Sequence, residues 1–563
     1  MKYLNWKLPA PLPPAPPALL NAGLTELLAS ILALRGWGDL DTAEEFLLAD
    51  ERTLHAPEEL LDMTRAVERI RTAIDRGEHV AVYGDYDVDG ITAASLLSDY
   101  LRSRRSLTCE TYIPDRLDEG YGLNTAAIDF LHKQGVTLII TVDCGVTSVE
   151  EAAYAKSLGI DMVITDHHEC REQLPDAVAV VDPKRPGSSY RGEGLAGVGV
   201  AFKLVCALMG DAEEALRQYG DLLAVGTVAD VMPVVGENRY LILQGLEKLN
   251  SDRCRLGLSA LLKSAGAAEK KITATSIGYS IAPRINAAGR LGDTRPALEL
   301  LSTSSPAEAE KLANELYNKN TERQKLEQEI WRQAVRLIGE DKPTAPLVLD
   351  SGDWHPGVIG IVASRLAEAY SVPAIMICLK GDKGKGSCRS VNGFNLHEAL
   401  VQCEDCLESF GGHAMAAGLT IRKDRIGELR SRLAELYKGC TPGEASLVEA
   451  EISVGRPSLL SEANVQSLDF LEPCGNGNAR PLFYMEDCVL SDLASIGGGK
   501  HMKLRLNKFN ETYNCVFFSQ TPEKLGAGRG DRVDVIFAPQ INEYRGTRSV
   551  QLVITDLRLH GRA

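Results

Sequence analysis

Tyr83-Gly84-Asp85-Tyr86-Asp87-Val88-Asp89-Gly90 directly follows a short apolar run at residues 79–82 and directly precedes a helical pattern at residues 91–102. An apolar run that ends in glycine and an acidic turn, and continues as a helix, is typical of a strand-to-helix connection in an α/β domain. Similar β-rich runs return at residues 137–142, 161–165 and 177–181. Strands that alternate with helices in this way predict a parallel sheet covered on both faces.

Acidic and histidine side chains follow the end of each predicted strand. In an open parallel sheet the carboxyl ends of all strands lie at one edge, where ligands bind. We therefore expect one crevice to be lined by Asp85, Asp87, Asp89, Asp143, Asp166, His167, His168 and Asp182. Asp230, in or at the end of a later helix, is a looser member of this set.

This set predicts a metal site. Ionised carboxylates a few ångströms apart raise each other's pKa or recruit cations. Mixed carboxylate and imidazole ligands favour Mn²⁺ over Ca²⁺, with Mg²⁺ where oxygen ligands dominate. The ligands suffice for two ions about 4 Å apart, an arrangement that activates water and stabilises in-line attack at phosphorus. The turn at residues 85–90 alone resembles a calcium loop, but Leu96 stands where that loop requires Glu.

Length and charge limit the other possibilities. A chain of 563 residues predicts three or four domains. The net charge of −16 argues against a protein that binds nucleic acid through bulk charge. Any nucleic-acid site must therefore be a local basic patch or use metal ions. Residues 500–563 differ from the rest, with 11 Lys or Arg against 6 Asp or Glu.

The 13 cysteines have no regular spacing, and the close pair Cys403 and Cys406 has no second pair with which to complete a zinc site. The sequence shows neither a signal-peptide pattern nor 18 consecutive apolar residues. We therefore expect a reduced, cytoplasmic protein without a membrane span.

The pattern along the chain divides it into five parts. Ser305 and Pro306 begin a long polar helix that runs to about Gly339, and a helix of that kind usually bridges domains, although a surface helix on one domain is the alternative. The predicted parts are a proline-rich N-terminal arm at 1–50, the parallel-sheet domain at 51–255, a connecting segment with the long helix at 256–340, a second α/β domain at 341–440, and an OB-type β-barrel at 441–563.

Several motifs together carry a resemblance to a known family. Residues 85–90, Asp143-Cys144-Gly145, Asp166-His167-His168 and residues 226–230 resemble the four motifs of the DHH phosphoesterase superfamily. Residues 386–390 and 411–418 resemble its associated second domain, DHHA1. Residues 282–292 and the β-rich tail narrow the resemblance to the bacterial single-stranded-DNA-specific exonucleases of this superfamily, from about residue 50 onward.

The resemblance implies a role for each residue of the crevice. Asp87 would hold one metal with Asp85 nearby, Asp143 would bridge the two metals, and His168 would stabilise the charge of the scissile phosphate. The second metal would be held by Asp89, His167 and Asp230. The ions would be Mn²⁺ or Mg²⁺.

A second group of residues would hold the end of the strand. Arg116 follows another strand-like run, Arg290 lies in a predicted glycine-flanked loop, and Arg forks match phosphate oxygens at two points. Ser387 and Arg389 beside Gly386, and His413 after two glycines, combine polar groups with close backbone approach. Each of these features alone also fits a surface salt bridge or a tight turn. The resemblance implies that they bind a terminal 5′ phosphate across the cleft from the metals.

The tail combines basic and aromatic side chains, as OB-type barrels do when they grip single strands. The basic residues are Lys500, Lys503, Arg505, Lys508, Arg545 and Arg548, and the aromatic ones are Phe509, Tyr513, Phe517 and Tyr544. The alternative is that the aromatic rings form the core of the barrel.

The leading prediction is a metal-dependent exonuclease that releases nucleotides from the 5′ end of single-stranded DNA in recombination and repair. The alternatives are a phosphodiesterase of the same superfamily for short oligonucleotides, cyclic dinucleotides or pyrophosphate, and a non-catalytic strand-binding scaffold. A single-stranded-DNA-binding protein and a helicase are expected partners, since a single-strand nuclease needs opened substrate.

Overall fold

The computed structural model describes residues 5–104, 106–192, 194–267, 269–391, 393–438, 440, 447–544 and 546–561, with the side chains of Lys524 and Tyr544 left out. Within these residues, none of the helices is both long and apolar enough to pass through a membrane. The N-terminal segment contains β1 (Asn5–Lys7), α1 (Pro17–Asn21), α2 (Glu26–Leu34) and α3 (Leu40–Leu48).

The parallel-sheet domain follows, and its strands are apolar because helices cover both faces of the sheet. Every residue of its central strand, 138–142, is buried. Its elements are α4 (Met63–Arg76), β2 (His79–Gly84), α5 (Val88–Arg102), β3 (Thr108–Tyr112), α6 (Thr125–Lys133), β4 (Leu138–Val142), α7 (Val149–Ser157), β5 (Asp161–Thr165), β6 (Ala179–Val181), α8 (Gly197–Met209), α9 (Ala212–Ala229), α10 (Gly236–Leu249), α11 (Leu256–Ser264), α12 (Ala274–Ser276), a π-helical turn (Ile277–Ile281), α13 (Ala282–Arg290) and α14 (Arg295–Ser302).

The strand order of this sheet is β3-β2-β4-β5-β6, and all the pairs are parallel. The chain leaves β2 toward one side for β3 and then returns to the other side of β2 for β4. Such a reversal opens a crevice at the carboxyl ends of the two strands on either side of it. The ends of β2 and β4 carry Asp85 and Asp143, so the topology itself places these two carboxylates in the crevice.

The long polar helix predicted from the sequence is α15 (Pro306–Ile338), capped by the Ser305 side chain, which accepts a hydrogen bond from the Glu308 amide. Leu312 and Leu316 in its first half belong to the core of the parallel-sheet domain. Ile330 in its second half belongs to the core of the next domain. The helix therefore bridges two domains.

The mixed-sheet domain has the strand order β10-β11-β9-β8-β7, in which only β7 and β8 are parallel. Gly411 and Gly412, which the sequence suggests lie on a loop, end one of its strands, and His413 follows them in the turn to the next strand. Its elements are β7 (Leu347–Ser351), α16 (Ile359–Tyr370), β8 (Ala374–Lys380), β9 (Lys383–Arg389), α17 (Leu396–Val401), β10 (Leu407–Gly412), β11 (Ala416–Arg422) and α18 (Ile426–Lys438).

The barrel domain closes on itself, because its first long strand pairs with both the second and the fourth. The closed order is β14-β15-β16-β18-β17. Its elements are β12 (Leu447–Glu449), β13 (Ile452–Ser453), α19 (Glu462–Ser467), β14 (Phe483–Ile496), β15 (His501–Lys508), β16 (Glu511–Phe517), α20 (Pro522–Leu525), β17 (Arg532–Tyr544) and β18 (Thr547–Leu559).

The N-terminal segment packs on this barrel. β1 pairs in parallel with β12, through Trp6 opposite Val448. Leu28 and Ile31 of α2 lie in the same apolar core as Phe483 of the barrel. Residues from opposite ends of the sequence therefore form one structural unit.

Candidate metal centre and phosphate pocket

The turn that leads from β2 into α5 carries three of the acidic residues, Asp85, Asp87 and Asp89. Asp87 caps the helix, and its carboxylate accepts hydrogen bonds from the amides of Asp89 (2.9 Å) and Gly90 (3.1 Å). A Cβ at Gly90 would lie 2.5 Å from the carbonyl oxygen of Asp85, so only glycine fits there. This close turn brings Asp85 and Asp89 onto the same side of the crevice.

Asp89 is held by the start of another helix. Its two carboxylate oxygens accept hydrogen bonds from the amides of Gly197 (2.6 Å) and Val198 (2.8 Å) at the N-terminus of α8. The positive end of the helix dipole favours a carboxylate at this position. A Cβ on Gly197 would lie 2.4 Å from the Cβ of Asp143, so the missing side chain lets the helix approach the site. No sequence motif predicts this support, because it comes from backbone amides.

Asp143 follows β4 in the left-handed backbone region, with φ at +59°. A non-glycine residue in this region stores strain, which is often found at functional sites. Its Oδ1 lies 3.1 Å from Nε2 of His167, and the same nitrogen lies 3.6 Å from Asp230 and 3.8 Å from Asp89. Asp230 is the residue that ends α9.

The predicted metal ligands form two groups that lie next to each other. Ligand atoms of Asp89, His167 and Asp230 lie within 4.8 Å of one another, as do those of Asp85, Asp87 and Asp143. Three buried atoms in these groups have no hydrogen-bond partner: Asp85 Oδ1, Asp143 Oδ1 and His167 Nδ1. Buried polar atoms without partners are costly unless a ligand satisfies them. The donor set fits two divalent cations of the Mn²⁺ or Mg²⁺ type.

The electrostatics of the site favour cations as well. Burial, and then the charge of Asp87, raises the pKa of Asp85 to about 8. Burial and neighbouring carboxylates raise the pKa of Asp89 and Asp143 well above the usual value, and that of Asp230 to about 6. Burial, followed by the charge of His168, lowers the pKa of His167 to about 4, which leaves its ring in the neutral form that binds metals.

His168 differs from its neighbour. Its Nδ1 lies 2.8 Å from the Asp166 carboxylate. Burial alone would lower the pKa of His168, but this hydrogen bond and the charges of the surrounding carboxylates together raise it to about 9. The hydroxyl of Tyr121 lies 3.3 Å from the same ring nitrogen. His168 is therefore a cation at neutral pH, held at the edge of the metal groups. No sequence motif predicts this role of Tyr121, because it lies in a loop without a recognisable pattern.

The remaining acids of the predicted crevice have other contacts. Asp166 accepts hydrogen bonds from the amides of Val146 and His167, so it organises the loops around the site. Asp182 is buried and accepts a hydrogen bond from the Lys184 amide. Burial raises the pKa of Asp182 to about 7.

Facing the acids is a group of guanidinium side chains, the arginine cluster, formed by Arg116, Arg290, Arg323 and Arg389. Burial, followed by the charges of the other three, lowers the pKa of Arg290 to about 10. Arg116 lies over the ring of Tyr86 at 4.7 Å and stabilises the charged form of Asp85. The arginine cluster and the acids thus border the same cleft.

The members of the arginine cluster lie on different helices and strands. Arg290 is the last residue of α13, which corrects its predicted place in a loop, and it donates to the Gly357 carbonyl at 3.2 Å. Arg323 comes from α15 and pairs with Glu327 at 2.8 Å. No sequence motif distinguishes Arg323 from the many other charged residues along this polar helix.

Arg389 and Ser387 lie on β9, and the Arg389 guanidinium donates to the Ser387 hydroxyl at 3.3 Å. A Cβ on Gly360, in the first turn of α16, would lie 2.8 Å from that hydroxyl, so a helix N-terminus meets the arginine cluster here. Gly386 packs against Leu419, where a Cβ would come within 2.7 Å, so the missing side chain makes room for this leucine. The exposed His413 lies in the turn between β10 and β11, next to the end of β9.

Three family models match the chain in order: the DHH family N-terminal domain at residues 79–227, the DHHA1 domain at 344–439, and the RecJ OB domain at 454–556. The single-stranded-DNA-specific exonuclease RecJ of Escherichia coli (strain K12) is 33% identical over 575 residues, which cover 96% of both chains. This chain belongs to the RecJ family.

Other RecJ proteins are similar over comparable lengths. The single-stranded-DNA-specific exonuclease RecJ of Bacillus subtilis (strain 168) is 39% identical over 540 residues, covering 95% of this chain and 68% of that one. The crystal structure of Thermus thermophilus RecJ in complex with Mn²⁺ superposes with a TM-score of 0.83 at 30% identity, covering 99% of this chain and 80% of that one. A complex of RecJ from the same organism with Mg²⁺ gives a TM-score of 0.78 at 29% identity, covering 98% and 78%.

The residues matched by the RecJ OB domain include a basic outer face. Lys503 and Arg505 point outward from β15, and beside them Phe518 is 54% exposed and packs its ring edge-to-face on His501. The aromatic rings predicted in the tail have other places. Phe517 and Tyr513 lie in the barrel core, and Phe509 packs partly buried against it. Arg545 lies outside the described residues, as does the side chain of Tyr544.

Proposed function

We propose that the chain is a metal-dependent exonuclease that hydrolyses single-stranded DNA from its 5′ end, releases nucleotides, and serves recombination and repair. The observation that carries the proposal is one cleft with two opposite halves. One half is a set of carboxylates and a neutral imidazole arranged around two cation positions. The other half is the arginine cluster, which suits a phosphate group.

The residues of the acidic half have distinct tasks. Bound there, two divalent cations would supply an activated water molecule and stabilise charge at phosphorus. Asp89, His167 and Asp230 would hold one cation, Asp85 and Asp87 the other, and Asp143 would contribute to both. The cationic His168, held by Asp166, is in place to donate a hydrogen bond to a phosphate oxygen or to the leaving oxygen.

The arginine cluster supports recognition of a strand end. Arg116, Arg290 and Arg389 would grip a terminal phosphate, with Ser387 and His413 as further donors. Arg forks bind phosphate at two points, and the N-terminus of α16 adds positive potential. A strand that enters with its 5′ phosphate in this pocket leaves the next phosphodiester bond facing the metal groups. The 5′ direction is taken from the resemblance to the single-stranded-DNA-specific exonucleases, because a pocket for a terminal phosphate does not by itself distinguish a 5′ from a 3′ end.

The barrel domain would hold the rest of the strand. Lys503 and Arg505 offer charge for the backbone, and the exposed ring of Phe518 offers a platform for a base. A cleft for one strand needs opened duplex, so we also propose a helicase and a single-stranded-DNA-binding protein as partners. All 13 cysteines are unpaired, in keeping with a reducing compartment such as the cytoplasm.

The test is degradation of single and double strands labelled at the 5′ or the 3′ end, with Mn²⁺ and with chelator. We expect labelled mononucleotide to appear first from 5′-labelled single strands, only with metal, and much more slowly from blunt duplex. Release from the 3′ label first, or turnover in chelator, would contradict the proposal. A preference for dinucleotides in a length series would favour a short-oligonucleotide phosphodiesterase instead.

A further inference from the structure

The segment that follows the metal ligand Asp230 has an unusual backbone. Val231 adopts φ of +58°, and its side chain is 66% exposed. A β-branched residue in the left-handed region is a rare and costly conformation. It persists only where the surroundings fix it, so the contacts of Val231 show what holds the end of α9 in place.

Two contacts are local, as in a left-handed helix C-cap: the Val231 amide donates to the Val228 carbonyl at 3.2 Å, and the Met232 amide donates to the Thr227 carbonyl at 3.3 Å. The other contacts come from the barrel domain. The Asn476 side-chain amide donates to the Val231 carbonyl at 3.1 Å. The Asn476 carbonyl accepts from the Val234 amide at 2.7 Å. A Cβ on Gly475 would lie 2.6 Å from Val234, so the turn of the barrel domain fits closely against this segment. One asparagine thus bonds the chain on both sides of Met232 and Pro233.

The turn that carries Asn476 is itself fixed. Gly475 and Asn478 exchange two backbone hydrogen bonds, of 3.0 and 3.2 Å. The buried Asn478 amide donates to the carbonyls of Leu471 and Pro473.

Arg239, near the start of α10, makes a second set of contacts between the parallel-sheet domain and the barrel domain. Its guanidinium donates to the Phe46 carbonyl at 2.8 Å and to four carbonyls at residues 470–473. It also lies 4.1 Å from the ring of Phe46. These contacts attach the loop at 470–478 to α10, the helix of the parallel-sheet domain that follows Asp230 in the sequence.

We propose that Asn476 is a positioning residue for the metal centre: it holds the strained Val231 peptide, and through it the carboxylate of Asp230. This inference rests on the proposed function, because it assigns Asp230 to one of two cation positions. Its consequence is that a residue of the strand-binding domain sets the cation affinity of the catalytic domain.

Three substitutions in the full chain test the inference. Asn476→Ala and Asn476→Leu both remove the donor, and leucine keeps the size of the side chain. Val231→Gly removes the cost of the positive φ, because glycine adopts this region readily. Asn542→Ala, on β17 of the same barrel, is the matched control.

The main readout is Mn²⁺ binding without DNA, measured by calorimetry and by electron paramagnetic resonance. We expect both Asn476 variants to weaken one of the two Mn²⁺ sites by about fivefold to tenfold, the value of one lost hydrogen bond, with melting temperature unchanged. Val231→Gly in the Asn476→Ala background should restore most of the affinity. In metal-free protein, hydrogen exchange across residues 231–235 should be faster in the Asn476 variants than in the control.

Kinetics separate this role from direct strand contact. At low Mn²⁺ the Asn476 variants should lose kcat, and saturating Mn²⁺ should recover it with KM for the strand unchanged. Unaltered Mn²⁺ binding in both variants, or no recovery through Val231→Gly, would overturn the inference. Fewer than two Mn²⁺ ions on the wild-type protein would instead refute the proposed function, and the inference with it.

Discussion

The acids of the metal centre and the arginine cluster are opposite in charge and built in different ways. Five of the six acidic or imidazole ligands come from turns at the carboxyl ends of strands or from the first turn of α5, and all lie within one domain. The four arginines come from the segment after β3, from α13, from α15 and from β9. Cation binding therefore depends on a single domain, whereas phosphate binding depends on how two domains are joined by α15.

The largest expected effect is at the centre of the acidic group. Asp143→Ala removes an oxygen ligand that borders both cation positions, and we expect turnover to fall by about 10³-fold or more, since metal ions supply several kcal/mol of transition-state stabilisation. Strand binding, measured by fluorescence anisotropy, should persist because the arginine cluster and the barrel are intact. The exposed Asp252→Ala is the matched control, and a variant that keeps a tenth of normal turnover would contradict the assignment.

A smaller effect is expected in the opposite half of the cleft. Arg389→Ala removes a guanidinium that would bind the terminal phosphate at two points. We expect kcat/KM on 5′-phosphorylated strands to fall by about 10- to 100-fold, which corresponds to the loss of a hydrogen bond to a charged group. Arg389→Lys should recover only part of it. Strands with a 5′ hydroxyl should change little. Arg422→Ala, paired with Asp424 at the end of β11, is the control, and equal losses on both kinds of strand would refute the phosphate pocket.

The smallest effect is a dependence on pH that only the acidic half should show. The folded protein holds protons on Asp85 and Asp230, with pKa values of about 8 and 6, which the unfolded chain releases near pH 4. Metal-free stability should therefore fall as pH rises from about 4 to about 8. Mn²⁺ displaces those protons, so its stabilising effect should be larger at pH 8 than at pH 6.

Thermal unfolding in chelator and in Mn²⁺ at the two pH values measures both slopes. Asp143→Ala should reduce the rise in melting temperature that Mn²⁺ produces, and Arg389→Ala should leave that rise unchanged. A melting temperature that is independent of pH without metal would show that the carboxylates are already compensated by other charges.

The acidic half was open to prediction because each of its signals is local. An apolar run followed by Asp or His can be recognised without knowing what packs against it, and parallel topology then brings the strand ends together. The hydrogen bonds from the Gly197 and Val198 amides to Asp89 could not be predicted, since the sequence does not show where a backbone amide donates. The roles of individual site residues remain predictions.

The arginine half was harder to predict, because its members meet only through tertiary packing. Gly289 and Gly292 favour a loop around Arg290, yet α13 continues through Gly289 to Arg290. Gly289 passes close to the Tyr86 carbonyl, where a Cβ would lie at 2.4 Å. In the barrel, Phe517 points inward and Phe518 outward. Neighbouring residues of a strand face opposite sides, so an error of one position exchanges core and surface.

The pairing of β1 with β12 has a consequence for synthesis on the ribosome. Trp6 leaves the ribosome more than 400 residues before Val448 and the barrel strands that complete its surroundings. Until then the apolar side of α2 lacks its native cover, which makes the nascent chain a client for chaperones. A designed fragment that stops before the barrel should accordingly also begin after about residue 50.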